Sequence, residues 1–164
     1  MFELLPPFFL VVSVIMTLTI IWRIKARKYI SSGSVASAYD AWTQDKLLER
    51  LWGEHIHLGF YPSGKNNIDF RKAKVQFVHE LVKWSGLDKL PKGSRILDVG
   101  CGIGGSSRIL SKYYGFNVTG ITISPAQVKR ARELTPLGLN CNFQVMDALD
   151  LKFEDGSFDA VWLS

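Results

Sequence analysis

The sequence contains few of the residues that cross-link a chain or bind metal ions. Its two cysteines, Cys101 and Cys141, lie far apart, which excludes a disulfide framework and fits reduced thiols in the cytoplasm. Of the three histidines, His55 and His57 alternate, but no cysteine or further histidine lies near them. Two histidines alone make a poor metal site, so we expect no bound metal ion.

Neither sign of charge dominates the chain, and it contains no internal repeat or low-complexity run. The formal net charge is +5. Much of the excess comes from four bases in one short segment, Arg23, Lys25, Arg27 and Lys28. Because the excess is modest and concentrated there, we expect no binding of nucleic acid.

The one long apolar run lies near the N-terminus, from Leu4 to Trp22. As a helix, roughly 19 residues at about 1.5 Å each span about 28 Å, close to the hydrocarbon thickness of a bilayer. A cleaved signal peptide would need a base before the run and a cleavage site near its end, and the small residues at 36–38 lie far beyond it. A buried core helix is a third alternative. We predict an uncleaved transmembrane anchor over residues 1–22.

The bases that follow the anchor predict its orientation. Basic flanks stay on the cytoplasmic side, so we expect the body of the protein there, with the four charges near anionic lipid head groups. Residues 23–38 are predicted to be a basic juxtamembrane linker, small and polar from Ser31 to Ser37. Residues 39–93 are predicted to be an N-terminal helical and lid region.

The stretch from Leu51 to Pro62 is dense in aromatic residues and histidine. On a strand, His55 and His57 would share one face. We interpret the stretch as a lid over a bound ligand or as a substrate wall. Helical spacing is present from Tyr39 to Arg50 and again from about Asp69 to Ser85. The predicted apolar stripe of the second helix is Phe70, Ala73, Phe77, Leu81 and Trp84.

The chain is organised around the stretch from Ser94 to Gly105. Arg95 to Val99 is a short apolar run after a Pro-Lys-Gly turn, which predicts a buried strand. The glycines that follow, before a predicted helix, are Gly100, Gly102, Gly104 and Gly105. This order is typical of a nucleotide-binding corner, because missing Cβ atoms let a ligand contact the backbone and free helix N–H groups face it.

The position of the acidic residues decides which ligand this corner binds. The glycine spacing from Gly100 to Gly105 fits a dinucleotide, which needs an acidic residue about 20 residues on, and Val118 to Thr122 contains none. Asp98 instead stands at the end of the first strand. S-adenosylmethionine carries an ammonium and a sulfonium and no pyrophosphate, so a carboxylate there suits it. A plain strand-to-helix turn with Asp98 as a cap remains the alternative.

Three further strands are predicted: Phe116 to Ile121, Cys141 to Val145 and Phe158 to Leu163. Ser124, Pro125 and Gln127 form a capping box, which accounts for Gln127 and still leaves it able to reach a ribose. Asp147 follows the third of the four strands, and it can accept a hydrogen bond from an adenine amino group or form a turn. We therefore predict residues 94–164 to be the cofactor-binding half of an α/β domain.

Four motifs carry a resemblance that covers nearly all of the chain. They are A-Y-D-x-W-T at 38–43, W-G-E-H-I-H-L-G at 52–59, L-D-V-G-C-G-I-G-G-S-S at 97–107 and T-I-S-P-x-Q at 122–127. The chain resembles the class I S-adenosylmethionine methyltransferases, and within them the tocopherol and plastoquinone branch. The D-V-G-C-G part alone would indicate only a methyltransferase, whereas H-I-H-L-G narrows the resemblance to this branch.

The resemblance implies a Rossmann-like sheet and a set of cofactor residues. The methionine end would lie against Asp98, Gly100, Gly102 and Gly104, and the adenine against Asp147 and Ala148. Thr122 departs from many members of the family, which hold the ribose with Asp or Glu, so Gln127 is expected to compensate. Related cyclopropane synthases also carry Thr there. The stretch from His55 to Tyr61 would cover the methionine end.

The resemblance also implies transfer of a methyl group to a ring carbon of a prenylated quinol, in a cyanobacterial plasma or thylakoid membrane. A base near the ring hydroxyl would help, with His57 as the first candidate and His55 as the second. The family's sheet continues beyond a fourth strand, so we expect this chain to be an N-terminal portion with a truncated sheet. A tethered cofactor-binding protein without turnover and a dinucleotide-dependent oxidoreductase are the rival functions.

Overall fold

The computed structural model describes residues 11–17, 32–63 and 67–163. The chain divides into two compact units, Met1–Ser31 and Ser32–Ser164. In the first unit, residues 11–17 are helical. Among the described residues, no helix is both long enough and apolar enough to cross a bilayer. Most of the anchor predicted over residues 1–22 lies outside the described residues.

The second unit is an α/β structure with one parallel sheet. Its elements are α1 (Ser32–Asp45), α2 (Leu47–Trp52), α3 (Phe70–Ser85), a 3-10 turn (Leu87–Lys89), β1 (Arg95–Val99), α4 (Gly105–Tyr114), β2 (Asn117–Thr122), α5 (Pro125–Leu134), β3 (Cys141–Val145) and β4 (Ala160–Trp162). The sheet has the order β3-β2-β1-β4, and all its pairs are parallel. The predicted α/β fold is confirmed, with β4 shorter than the predicted Phe158–Leu163.

Helices α3, α4 and α5 cover one face of the sheet. The larger core cluster includes Ile96, Val118, Val78, Val82 and Leu110, from β1, β2, α3 and α4. Phe143 of β3 packs against Val128 of α5. Phe143 pairs with Gly120, two residues after Val118, so both clusters lie on the same face. Right-handed crossovers in one direction along a sheet require this arrangement.

Helix α1 begins at Ser32 and so corrects the predicted linker over residues 23–38. Within this helix the Ser37 hydroxyl donates a hydrogen bond of 2.9 Å to the carbonyl of Gly33. Helix α1 packs against α5. Small polar residues suggest a linker when only local composition is considered, but a distant packing partner stabilises them as a helix.

The helix predicted from Tyr39 to Arg50 is divided in two at Lys46. This lysine has a φ of 54°, a left-handed conformation that is uncommon for a residue with a side chain. The N–H of Leu47 donates to Oδ1 of Asp45 at 2.8 Å and so starts α2. Apolar periodicity continues through this turn, so the sequence pattern does not reveal the break.

Helix α3 begins and ends as predicted, but its buried stripe differs. Asp69 caps it by accepting from the N–H groups of the first turn, and Gly86 ends it in a left-handed conformation. Trp84, predicted to be buried, is 85% exposed. The buried residues of α3 are Ala73, Lys74, Val78 and Val82. The stripe therefore includes a lysine, which lies next to the cavity described below.

Candidate functional site

A cavity of about 510 Å³ lies at the carboxyl ends of β1 and β2. It is lined by residues of α1 and α2, by residues 53–57, by the segments at the ends of β1, β2 and β3, and by the start of α5. Ligands of parallel α/β sheets bind at this edge, where the loops between strands and helices converge. We call residues 53–57 the lid segment and residues 100–105 the cofactor loop.

Two glycines of the cofactor loop leave open space on its cavity side. Gly100 and Gly102 have φ values of 72° and 54°, and nothing lies within 4 Å of the position that a Cβ would occupy. The carbonyl of Ile121 accepts hydrogen bonds from the N–H groups of Gly100 and Cys101, at 2.9 and 3.0 Å. Those two N–H groups therefore hold the loop to β2. A ligand can contact the loop at the Cα atoms of Gly100 and Gly102, which carry no side chain.

The other two glycines of the loop serve close packing. A Cβ on Gly104 would lie 2.6 Å from Cζ of Phe143, and Gly104 does not line the cavity. A Cβ on Gly105 would lie 2.7 Å from the carbonyl oxygen of Glu54 and 2.8 Å from Cε1 of His55. The lid segment can therefore contact the start of α4 only because Gly105 has no side chain.

Asp98 presents a buried carboxylate to the cavity. It is 2% exposed, and the Ser107 hydroxyl donates to its Oδ2 at 2.5 Å. Burial raises the pKa of Asp98 to about 7, against the opposing effect of hydrogen bonds from Ser107. No salt bridge among the described residues includes Asp98. A buried carboxylate that lacks a cation and faces a cavity fits the ammonium group of S-adenosylmethionine.

Thr122 and Gln127 form a pair at the cavity edge. The N–H of Gln127 donates to the Ser124 hydroxyl at 3.1 Å, so the predicted N-cap of α5 is confirmed. The reciprocal half of the capping box is absent, because Oε1 of Gln127 accepts from the Thr122 hydroxyl at 2.7 Å. The two residues singled out for the ribose therefore contact each other, and both line the cavity.

Asp40 holds α1 against the start of α5, which the sequence analysis did not predict. The Ser124 hydroxyl donates to Oδ1 of Asp40 at 2.5 Å. The N–H of Ala126 donates to the same oxygen of Asp40 at 3.0 Å. These contacts position α1 so that Trp42 lines the cavity. The only sequence signal for Asp40 was its place in the motif at 38–43.

The two residues assigned to the adenine are placed differently. Ala148 lines the cavity, whereas Asp147 does not. The Asp147 carboxylate accepts from the N–H of Leu149 at 2.9 Å, and its carbonyl accepts from the N–H of Asp150 at 3.0 Å. These are the contacts of a turn, which was the alternative interpretation of Asp147.

His55 and His57 lie together although they are not on a strand. Nε2 of His57 is 3.1 Å from Nδ1 of His55, and both residues line the cavity. Burial, and after it the positive charges nearby, lower the pKa of His55 to about 4. Burial also lowers the pKa of His57. Both imidazoles are therefore neutral at neutral pH and can accept protons.

Two basic residues that the sequence analysis did not single out fix the lid segment. The Lys74 ammonium donates to the carbonyls of His55 and Trp52, at 2.7 and 3.2 Å. Arg108 forms a salt bridge of 2.6 Å with Glu54. Lys74 shares a helical row with two buried valines of α3, and a lysine in an apolar row was the available signal. Within the described ranges, no three His, Cys, Asp or Glu side chains are grouped to hold a metal ion.

Known proteins resemble this chain in sequence. Residues 96–164 match the family model described as a methyltransferase domain. The chain is 61% identical over 142 residues to the 2-methyl-6-phytyl-1,4-hydroquinone methyltransferase of Synechocystis sp. (strain ATCC 27184 / PCC 6803 / Kazusa), covering 87% of this chain and 45% of that protein. It is 41% identical over 126 residues to the chloroplastic tocopherol O-methyltransferase of Arabidopsis thaliana, covering 71% of this chain and 36% of that protein. The chain spans less than half the length of either relative.

A solved structure resembles the fold. It is a candidate sarcosine dimethylglycine methyltransferase from Galdieria sulphuraria, with a TM-score of 0.64 and 27% identity. The match covers 76% of this chain and 48% of that chain. The predicted family and cofactor are thereby confirmed. The chain belongs to the class I S-adenosylmethionine-dependent methyltransferases, and S-adenosylmethionine is its cofactor.

Proposed function

We propose that the chain is the cofactor-binding part of a membrane-anchored C-methyltransferase that acts on a prenylated quinol of the 2-methyl-6-phytylbenzoquinol type. The observation that carries this proposal is the cavity, which the carboxylate of Asp98 and the imidazoles of His55 and His57 line together. A cation site beside neutral bases suits a sulfonium donor and a phenolic acceptor. The identity to the cyanobacterial hydroquinone methyltransferase supports the substrate class.

The cofactor would be held by residues at the carboxyl ends of β1, β2 and β3. In this proposal Asp98, Gly100 and Gly102 bind the methionine end, and Gly104 keeps the loop against β3. Thr122 and Gln127 meet the ribose, and Ala148 meets the adenine, with Asp147 in the adjacent turn. When bound, S-adenosylmethionine supplies a methyl group already activated as a sulfonium. The residues of the chain therefore orient the two reactants and exclude water.

The histidine pair would act on the quinol. Hydrogen bonding of a ring hydroxyl to a neutral imidazole of His55 or His57 increases electron density on the adjacent ring carbon, which then accepts the methyl group. The alternative is a methyltransferase that acts on gamma-tocopherol or on another small molecule or lipid, and the plant relative, named a tocopherol O-methyltransferase, supports it. A cofactor-binding protein without turnover is the other alternative.

The proposal includes a single membrane anchor over residues 1–22, with the catalytic part on the cytoplasmic side of a cyanobacterial plasma or thylakoid membrane. Its support is the span-length apolar run and the four bases that follow it. A quinol with a prenyl tail dissolves in the bilayer, so an enzyme held at the membrane surface meets its substrate there.

A methyl-transfer assay with a panel of acceptors tests the proposed function. The protein is expressed from its complete reading frame, purified in detergent, and offered 2-methyl-6-phytylbenzoquinol, gamma-tocopherol and a quinol without a prenyl tail. We expect fastest turnover with the first. Tight binding of S-adenosylmethionine in calorimetry without turnover of any acceptor would favour the non-catalytic alternative, and binding of a dinucleotide instead would favour an oxidoreductase.

A further inference from the structure

We propose that Nε2 of His55 is the atom that receives the hydroxyl proton of the substrate, and that His57 is a positioning residue that fixes the tautomer of His55. This inference rests on the proposed function, and it goes further by assigning one acceptor atom. It also reverses the order in which the two histidines were predicted as the base, because His57 is not the proton acceptor here.

The assignment follows from a chain of hydrogen bonds that starts at a backbone carbonyl. Nδ1 of His57 lies 2.8 Å from the carbonyl oxygen of Leu58, and a carbonyl can only accept, so Nδ1 carries the proton. In a neutral imidazole the other nitrogen, Nε2, then has a lone pair. That atom lies 3.1 Å from Nδ1 of His55, which must donate to it. His55 is left with its lone pair on Nε2.

This lone pair is available to a ligand. No hydrogen bond of the described residues reaches Nε2 of His55. No buried side-chain nitrogen or oxygen in the described part of the chain lacks a partner, so Nε2 must be accessible. His55 lines the cavity that Asp98 also lines. An accessible acceptor in the cavity is what the hydroxyl of a bound quinol requires.

Contacts on several sides hold His55 and the neighbouring ring of His57. The Lys74 ammonium fixes the main chain through the carbonyl of His55 at 2.7 Å. Gly105 lets the imidazole lie against the start of α4. The ring of His57 lies 5.2 Å from the ring of Phe77, centroid to centroid. A fixed acceptor loses little conformational entropy when the substrate binds, which favours directed proton transfer.

The charges around His55 determine when the proton moves. The groups that face it are His57 of the lid segment, Lys74 of α3 and Arg108 of α4, and Arg108 is paired with Glu54. Burial first, and then these charges, lower the pKa of His55 to about 4 in the free site. An imidazolium is therefore disfavoured until a negative oxygen lies beside it. The hydroxyl proton should move to Nε2 as the ring carbon takes the methyl group.

The step balances in atoms and charge. The O–H bond of the quinol breaks while an N–H bond forms on His55, and the methyl group passes from sulfur to carbon, leaving a neutral thioether. The ring carbon then loses its own hydrogen as a proton and the ring regains aromaticity. The oxygen recovers a proton from His55, so each turnover releases one proton.

Nitrogen NMR of the complete, histidine-labelled protein with bound S-adenosylhomocysteine tests the tautomer directly, at neutral pH. We expect His55 with a protonated Nδ1 and an unprotonated Nε2. The His57→Leu variant removes the acceptor, so both tautomers of His55 should appear. The His57→Gln variant keeps an amide donor and an amide acceptor, and it should restore the single tautomer. A protonated Nε2 of His55 in the unmodified protein would overturn the inference.

Kinetics separate positioning from simple structural support. At saturating cofactor we expect kcat to fall about 100-fold or more in His55→Gln and about tenfold in His57→Leu. His57→Gln should recover most of the kcat that His57→Leu loses. The cofactor Kd should be unchanged in all three variants. His79→Gln is the matched control, since His79 is bonded to Tyr114 at 2.8 Å and does not line the cavity. Wild-type kcat in His55→Gln would overturn the inference. A protein with the expected tautomer that methylates no quinol would instead overturn the proposed function, while the tautomer assignment stands.

Discussion

A Cβ atom on Gly105 would lie 2.8 Å from Cε1 of His55, closer than carbon atoms approach in proteins. The cofactor loop and the lid segment are therefore in contact at a position that tolerates only hydrogen. The contact couples the two halves of the site, because the loop lines the cofactor side of the cavity and His55 lines its other side. Whatever displaces the lid segment from Gly105 also displaces the acceptor atom.

The first prediction concerns this contact. Gly105→Ala should lower kcat by about tenfold or more, because the methyl group collides with the His55 ring and with the carbonyl of Glu54. Helix propensity by itself would favour alanine in α4, so the loss measures the contact. Lys112→Ala, an exposed substitution on the same helix, is the control for kcat and for the melting temperature. Unchanged kcat in Gly105→Ala would show that the lid segment moves freely.

The second prediction is that one substitution weakens cofactor binding and stabilises the free protein. Asp98→Asn should abolish measurable binding of S-adenosylmethionine, because the ammonium loses its carboxylate. It should also stabilise the free protein by about 1–3 kcal/mol at pH 8, since an ionised carboxylate is no longer buried. The gain should shrink as pH falls through about 7, where Asp98 itself becomes protonated. Calorimetry and thermal melts check both effects, with the exposed Asp155→Asn as control, and wild-type affinity in Asp98→Asn would refute the assignment.

The third prediction is the pH dependence of cofactor binding. Burial raises the pKa of Asp98 to about 7, and only the ionised form attracts a cation. The apparent Kd should therefore be level above pH 7 and rise by about tenfold for each pH unit below it. His55 should not contribute near its usual pKa, since its own pKa lies at about 4. Calorimetry across this range measures the Kd directly, and a flat profile would be the contrary result.

The fourth prediction concerns the N-terminal segment. Removal of residues 1–22 should move the protein from the membrane fraction to the soluble fraction, because a span-length apolar run is lost. The matched control keeps the run and replaces Arg23, Lys25, Arg27 and Lys28 by Gln, which should leave the protein in membranes but alter its orientation. Fractionation and protease protection measure the two effects. A deleted form that still sediments with membranes would contradict the anchor.

The parts of the structure that were predictable have strong local signals. Strand β1 has the predicted bounds, because its short apolar run follows a Pro-Lys-Gly turn and precedes a glycine. Ser124 caps α5 as expected, since serine followed by proline marks a helix start. The corner around Asp98 was predictable because glycine positions and a carboxylate at a strand end are both visible in the chain.

The parts that were not predictable depend on distant contacts. Asp40 accepts hydrogen bonds from Ser124 and Ala126 at the start of α5, and nothing near Asp40 in the sequence indicates these partners. Lys74 was hidden because a lysine usually lies outside an apolar stripe, and its acceptors lie in the lid segment and at Trp52. Which of His55 and His57 accepts the proton depends on the direction of the hydrogen bond between them, and residue spacing does not encode that direction.

The position of the transferred methyl group tests the central claim most directly. The protein from the complete reading frame is given S-adenosylmethionine labelled with carbon-13 in its methyl group, together with 2-methyl-6-phytylbenzoquinol, and the product is examined by NMR. The account predicts the label on a ring carbon, in a product that His55→Gln forms about 100-fold or more slowly. Label on a hydroxyl oxygen, or no labelled product from a protein that binds the cofactor, would contradict it.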